Sequence, residues 1–183
     1  MGPQPILRTA RLVLRPFRPE DAPRVQVLID DPDIARNTLT IPYPYPQGMA
    51  AKWIEGHEPA WRAGTNAVWA VCLAEGELIG AAGLRLEATH RRAEVGYWIA
   101  REHWGSGYAT ESVRALLDHA FDELALERVF AHHFLWNPAS GRVMEKAGMR
   151  REGLLRSNVQ KDGRAADNVL YGLARCDREP RAD

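Results

Sequence analysis

The chain has 183 residues, 45% of them hydrophobic and 26% charged, enough apolar material for one globular domain with a sizeable core. Its 24 basic and 24 acidic side chains cancel, so no overall field draws it toward nucleic acid or an anionic membrane. No apolar run approaches the roughly 20 residues of a bilayer-spanning helix, and Met1-Gly-Pro-Gln-Pro-Ile-Leu-Arg8 lacks an apolar signal core. Cys72 and Cys176 form no C-x-x-C pair; one long-range disulfide is the alternative, and reduced thiols in a cytoplasmic protein are expected.

The run Arg11-Leu-Val-Leu-Arg-Pro-Phe17 predicts a first strand ending at Pro16. A helix starts at Pro19-Glu-Asp-Ala22 and carries Val25, Leu28 and Ile29 on one side. Ile41-Pro-Tyr-Pro-Tyr-Pro46 has too many prolines for a helix or a central strand, which makes it a stiff surface loop. A second helix is expected over residues 49–61, between Gly48 and Gly64. From Ala67 the period changes to that of strands. Residues 67–73 and 77–86 form a hairpin about Glu75-Gly76, and residues 92–100 follow as the next antiparallel strand.

The stretch Glu94-Val-Gly-Tyr-Trp-Ile-Ala-Arg-Glu-His-Trp-Gly-Ser-Gly-Tyr-Ala-Thr-Glu111 runs from that strand through a glycine-rich turn into a helix. Val113, Leu116, Leu117, Ala120, Phe121 and Leu124 recur at helical spacing. Gly105 and Gly107 let a ligand approach the backbone, and the first N–H groups of a helix have no internal partner. Such a turn can hold a phosphate or diphosphate. Residues 128–135 predict another strand. Asn137 caps a short helix with Pro138 at its first position and Gly148 as its stop. The tail, residues 149–174, reads as two strands about Lys161-Asp-Gly163. The expected fold class is α/β: one mixed, mostly antiparallel sheet with about four helices on its faces.

Several segments together resemble the GNAT N-acetyltransferases, and within them the RimJ/RimL-like branch that acetylates protein N-termini. They are Thr9-Ala-Arg-Leu-Val-Leu-Arg15, Ala93-Glu-Val-Gly-Tyr-Trp98, Trp104-Gly-Ser-Gly-Tyr-Ala-Thr-Glu111, Asn137-Pro-Ala-Ser140, Lys146-Ala-Gly148 and Arg151-Glu-Gly-Leu-Leu-Arg156. The resemblance implies a sheet splayed around acetyl-CoA, with the diphosphate on Trp104, Gly105, Ser106, Gly107, Tyr108, Ala109 and Thr110. Trp104 stands where the family's pattern has Gln or Arg. The pantetheine arm is expected beside Trp98 and Ile99, with an added contact from Asn137. A homodimer is compatible with the branch.

Acetyl transfer to an amine needs a neutral amine, an aligned attack, donors for the oxyanion and a proton for the thiolate. Glu94, on the strand before the turn, either takes the amine's proton or pairs with an arginine such as Arg92. Ser140 resembles the serine proposed in this branch to protonate the thiolate, and it is also a first-turn hydroxyl suited to local backbone bonding. Tyr43 and Tyr45 either wall the acceptor site or strap the loop to the domain. Asp167 and Tyr171 fall where the resemblance brings the final hairpin to the acceptor. His132 and His133 face opposite sides of a strand, and no metal-ligand cluster appears in the sequence. The acceptor that the branch implies is a protein or peptide α-amine; a polyamine, amino acid or aminoglycoside is the rival, and a CoA-binding module without catalysis is the alternative from another class.

Overall fold

The computed structural model describes residues 1–178. The central element is an eight-stranded sheet in the order β1-β2-β3-β4-β5-β6-β8-β7. Its strands are β1 (Leu7–Arg8), β2 (Leu12–Pro16), β3 (Asn66–Leu73), β4 (Leu78–Glu87), β5 (Arg92–Ile99), β6 (Arg128–Phe134), β7 (Arg150–Lys161) and β8 (Arg164–Ala174). All neighbours are antiparallel except β5 and β6, which pair in parallel only from Arg92–Arg128 to Glu94–Phe130. Beyond Glu94 the two strands part, and this opening organises the site.

Six helices cover the faces: α1 (Ala22–Ile29), α2 (Pro32–Asn37), α3 (Met49–Glu55), α4 (His57–Arg62), α5 (Tyr108–Asp118) and α6 (Pro138–Lys146). One core lies under α5 and α6, where Val95, Ile99, Val113, Leu116 and Met144 are buried together. The other lies on the opposite face, where Trp98, Ala81 and Ala70 pack against α1 and α3 residues such as Val25, Leu28 and Ile54. No helix among the described residues is long and apolar enough to cross a membrane.

Four helices were expected, and two corrections explain the difference. The helix read over residues 49–61 is broken at Gly56, because the Pro59 ring clashes with a helical carbonyl at Glu55 and ends α3 there. The short α2, capped by Asp31 accepting from the Asp33 and Ile34 N–H groups, lacks the apolar repeat that marks a longer helix. After Asp118 the α5 path widens into a π-turn, with Leu124 N–H reaching the His119 carbonyl at 3.0 Å.

The α3–α4 break leaves His57 buried against the rings of Trp53 and Phe17, at 4.3 and 5.2 Å between centroids, with neither ring nitrogen partnered. Burial lowers its pKa to about 4, from an unfolded value near 6.5. The unfolded chain therefore binds a proton first as the medium is acidified. Stability is complete above pH about 6.5 and falls between there and pH about 4, by about 3 kcal/mol. Burial lowers the His119 pKa as well, which acts in the same sense. Chemical denaturation across pH 4 to 7 tests this: His57→Leu should flatten much of the slope, and an unchanged slope would remove His57 as its source.

Candidate active site

The glycine turn lies between β5 and α5. Gly105 and Gly107 have φ of +78° and +85°, and Gly107 is the residue from which α5 starts. Both are in the left-handed region that a side chain disfavours. The turn is braced from the other edge of the sheet. Arg11 donates to the Ser106 carbonyl at 3.0 Å and to Glu111 on α5 at 2.8 Å, and its guanidinium lies 4.6 Å from the Tyr108 ring centre. Thr9 donates to the same carboxylate at 2.6 Å. Burial raises the Glu111 pKa, but the bonds from Thr9 and Arg11 prevail and hold it below the usual carboxylate range. Arg11→Ala is expected to loosen the turn and raise the Kd for acetyl-CoA about tenfold, the loss of one or two charge-assisted bonds. Calorimetry checks this, and an unchanged Kd would show that the turn holds itself.

A cavity of about 310 Å³ begins at this turn. Gly105, Gly107, Tyr108, Ala109 and Thr110 line one end, and Trp98, Ile99, Asn137 and Ser140 line its course between β5 and α6. This is a cradle of the kind a diphosphate and its thiol arm need, and a Cβ on Gly107 would stand 3.4 Å from the Arg11 guanidinium. Trp104 also borders it, and its indole N–H donates to the Ile99 carbonyl at 2.7 Å. The residue that replaces Gln or Arg thus keeps a polar role, spent on the strand beside the cleft.

Asn137 caps α6 through its side chain, which accepts from Ser140 N–H at 3.3 Å. Gly141 lets this helix lie close over β6, since a Cβ there would come within 2.8 Å of His133 Nε2. Ser140 is thereby held against β5, with its Oγ 2.8 Å from the Tyr97 hydroxyl. Burial pushes the Tyr97 pKa up to about 12, against the opposing effect of the Ser140 bond, so the phenol remains a proton donor.

A second cavity, about 760 Å³, opens on the opposite face of the sheet and shares Asn37, Thr38, Tyr97, Trp98 and Ser140 with the first. Glu94, His132 and Arg85 line it. Glu94 does not pair with Arg92, whose partner is Glu87. Its partner is Arg85, directly opposite on β4, and its other oxygen lies 3.0 Å from His132 Nδ1. The His132 bond, with Arg85 adding to it, outweighs burial and holds the Glu94 carboxyl below its ordinary range. The neighbouring His133 faces the other way and packs against Tyr171, at 5.6 Å between ring centres.

The remaining expected site residues are placed as follows. Tyr45 is buried and borders the second cavity, and its backbone is tied to α1 by Gln26 and to Asp30, so it is both strap and wall. Tyr43 is 55% exposed and lines neither cavity. Asp167 accepts from Ser157 N–H at 2.8 Å, and Tyr171 donates to Glu145 at 2.8 Å; neither borders the two cavities. Tyr97, His132, Arg85 and Arg11 were missed as site residues. Only the Glu94-x-x-Tyr97 spacing, which sends these two side chains to opposite faces of one strand, gave any hint in the sequence. The fold also gathers Glu77, Glu102 and His103, which the sequence did not group, but Arg24 already sits 2.9 and 3.2 Å from the two carboxylates.

A family model described as an acetyltransferase (GNAT) domain matches residues 11–150. The chain is 31% identical over 182 residues to the uncharacterized N-acetyltransferase YoaA of Bacillus subtilis (strain 168), covering 93% of this chain and 97% of YoaA. Its fold is similar to that of a GNAT-family acetyltransferase from Bacillus anthracis, with TM-score 0.83 and 25% identity over 93% of this chain and 99% of that one. It is also similar to Mycobacterium smegmatis RimJ in complex with CoA-disulfide, with TM-score 0.82 and 25% identity over 93% of this chain and 86% of RimJ. A glycine cradle at the head of α5, a parted β5–β6 pair and a family match over most of the length lead to one conclusion: this chain belongs to the GNAT acetyltransferase family.

Proposed function

We propose that this protein transfers the acetyl group of acetyl-CoA to the α-amine of a peptide or protein N-terminus, by direct attack and without a covalent enzyme intermediate. The observation that carries the reading is the meeting of two cavities from opposite faces of the sheet at Tyr97 and Ser140. Bound acetyl-CoA supplies an acetyl thioester, which is reactive toward a neutral amine.

The N–H groups of residues 105–110 hold the diphosphate, and the parted edges of β5 and β6 position the arm. Ser140 Oγ donates its proton to the departing thiolate and regains one from solvent as the site empties, while the Tyr97 hydroxyl holds that oxygen in place by a hydrogen bond. On the other face the Glu94–His132 pair receives the proton of the acceptor amine. Direct attack is supported by the positions of the two cysteines: both are free thiols, and neither lines either cavity. Free thiols also suit the cytoplasm as the setting we infer.

A peptide is favoured over a polycation by charge. Glu94 is the one carboxylate among the described residues that line the acceptor cavity, and Arg85 already faces it. One cationic group fits there; a second or third finds no partner. The decisive assay is turnover with a panel of N-terminal peptides and small amines. Transfer confined to small amines would remove the peptide assignment. Within that assay, Ser140→Ala is expected to lower kcat about 10- to 100-fold with little change in peptide KM. A change in KM alone would leave the Ser140 hydroxyl as a structural partner of Tyr97.

A further inference from the structure

Two residues that line the acceptor cavity each bury a polar atom that the fold leaves unmatched. Among the described residues lining it, Trp98 Nε1 and Asn168 Oδ1 are buried without a hydrogen-bond partner. Both residues are more than nine-tenths buried, at 8% and 7% exposure. Buried polar groups in native proteins are nearly always matched, so an unmatched donor and an unmatched acceptor on two residues of one cavity wall need an explanation.

Their positions follow from strand register. Glu94 lies opposite Phe130 at the last paired step of β5 and β6. Four residues further along each strand, Trp98 and Phe134 stand at similar heights on the two sides of the opening. Asn168 is the cross-strand partner of Phe134 on β8. Alternation puts Trp98, Asn168, Glu94 and His132 on the same face of the sheet. His132 comes two residues before Phe134, about 6.6 Å along the strand. One residue of an extended acceptor, about 3.3 Å long, bridges that separation with a hydrogen bond at each end.

We propose that Trp98 and Asn168 read the first peptide linkage of the acceptor. The indole N–H donates to the carbonyl oxygen of that linkage, and the Asn168 carboxamide oxygen accepts from its N–H. The acceptor class is then an α-amine followed by an amide, as in a peptide or an amino-acid amide. An alkyl amine or polyamine has no carbonyl and leaves Trp98 unmatched. This deepens the peptide reading of the same cavity and rests on it. A site built around an N–H discriminates strongly against the analogue that lacks it, because its own buried group is then left bare.

The test takes the best peptide from the acceptor panel and its depsipeptide analogue, in which the first amide is replaced by an ester. The amine stays α to a carbonyl, and what disappears is the N–H. The wild-type enzyme is expected to prefer the amide in kcat/KM by about 10- to 100-fold. Asn168→Leu, which keeps the branched shape in a larger side chain, and Asn168→Ala should both bring that ratio close to 1, with folding checked by thermal melting. Trp98→Phe removes one N–H and keeps a large ring. It should raise peptide KM about tenfold and retain the amide preference, since both linkages carry a carbonyl. A wild-type ratio near 1, or a ratio that survives in both Asn168 variants, overturns the proposal while leaving peptide acetylation intact. Absence of transfer to every peptide in the panel overturns the peptide reading itself, and this inference with it.

Discussion

Gly107→Glu is expected to leave no measurable acetyl-CoA binding by calorimetry in a protein that still folds. The residue has φ of +85°, so any side chain there is strained by about 1–2 kcal/mol. That strain is small beside the 5–15 kcal/mol that typically separates a folded domain from its unfolded chain. Its effect on the ligand is much larger. A carboxylate about 4 Å from a diphosphate charge repels it by about 4 kcal/mol at the effective dielectric of a protein surface, roughly a thousandfold in affinity. The Arg11 guanidinium, 3.4 Å from the new Cβ, would be drawn to that carboxylate and away from the Ser106 carbonyl. Gly107→Ala separates the two effects, since it adds strain without charge and should weaken binding far less. Unchanged affinity in Gly107→Glu would show that the diphosphate binds elsewhere.

Glu94→Gln is expected to lower kcat/KM for the peptide about 100-fold at pH 7 and to change the shape of the pH profile. A free α-amine titrates near pH 8, so an enzyme without a base gains rate only as the amine deprotonates by itself. With the Glu94–His132 pair intact, the rate should begin to climb at lower pH. In the variant the climb should follow the amine's own titration. His132→Gln should give the same profile, because the pair is held by a single bond at 3.0 Å. If both variants keep the wild-type profile, Glu94 is a structural partner of Arg85 and no more. The stability effect has a definite sign. The folded-state pKa of Glu94 is lowered, so its stabilising contribution is present above the unfolded value near 4.3 and is lost as pH falls through the folded one. At a quarter exposed beside a solvated arginine, that contribution is small, below about 1 kcal/mol.

These two expectations show which parts of the molecule were legible in the sequence. The cradle depends on local chemistry: two glycines at positive φ, then a helix start, all within seven residues. The α6 cap is equally local, from Asn137 through Pro138 to Ser140. Such features are fixed by neighbours along the chain, and residue types report them directly. The brace of that cradle is different. Arg11 and Glu111 are 100 residues apart, and nothing in either segment points to the other.

The reaction centre was legible only in halves. Glu94 and Ser140 could be singled out separately, but their partners Tyr97, His132 and Arg85 depend on register. Arg85 faces Glu94 because β4 and β5 pair Gly80 with Ile99 and keep step from there. His132 reaches Glu94 because the parallel pairing of β5 and β6 stops at Phe130, two residues earlier. A shift of one residue would have sent either side chain to the other face. Asp167 shows the converse. The family resemblance implied an acceptor contact for it, but Ser157, at φ of +50°, interrupts β7 and turns its N–H toward the Asp167 carboxylate. A local backbone irregularity in one strand thus decided the partner of a residue in the next.

The most direct measurement of the central claim is a crystal structure of the protein grown with CoA. The expected result has the diphosphate on the N–H groups of residues 105–110, the arm between β5 and β6, and the thiol within hydrogen-bond reach of Ser140 Oγ at the junction of the two cavities. A diphosphate bound away from the glycine turn, or a sulfur lodged far from both Ser140 and Tyr97, would contradict it.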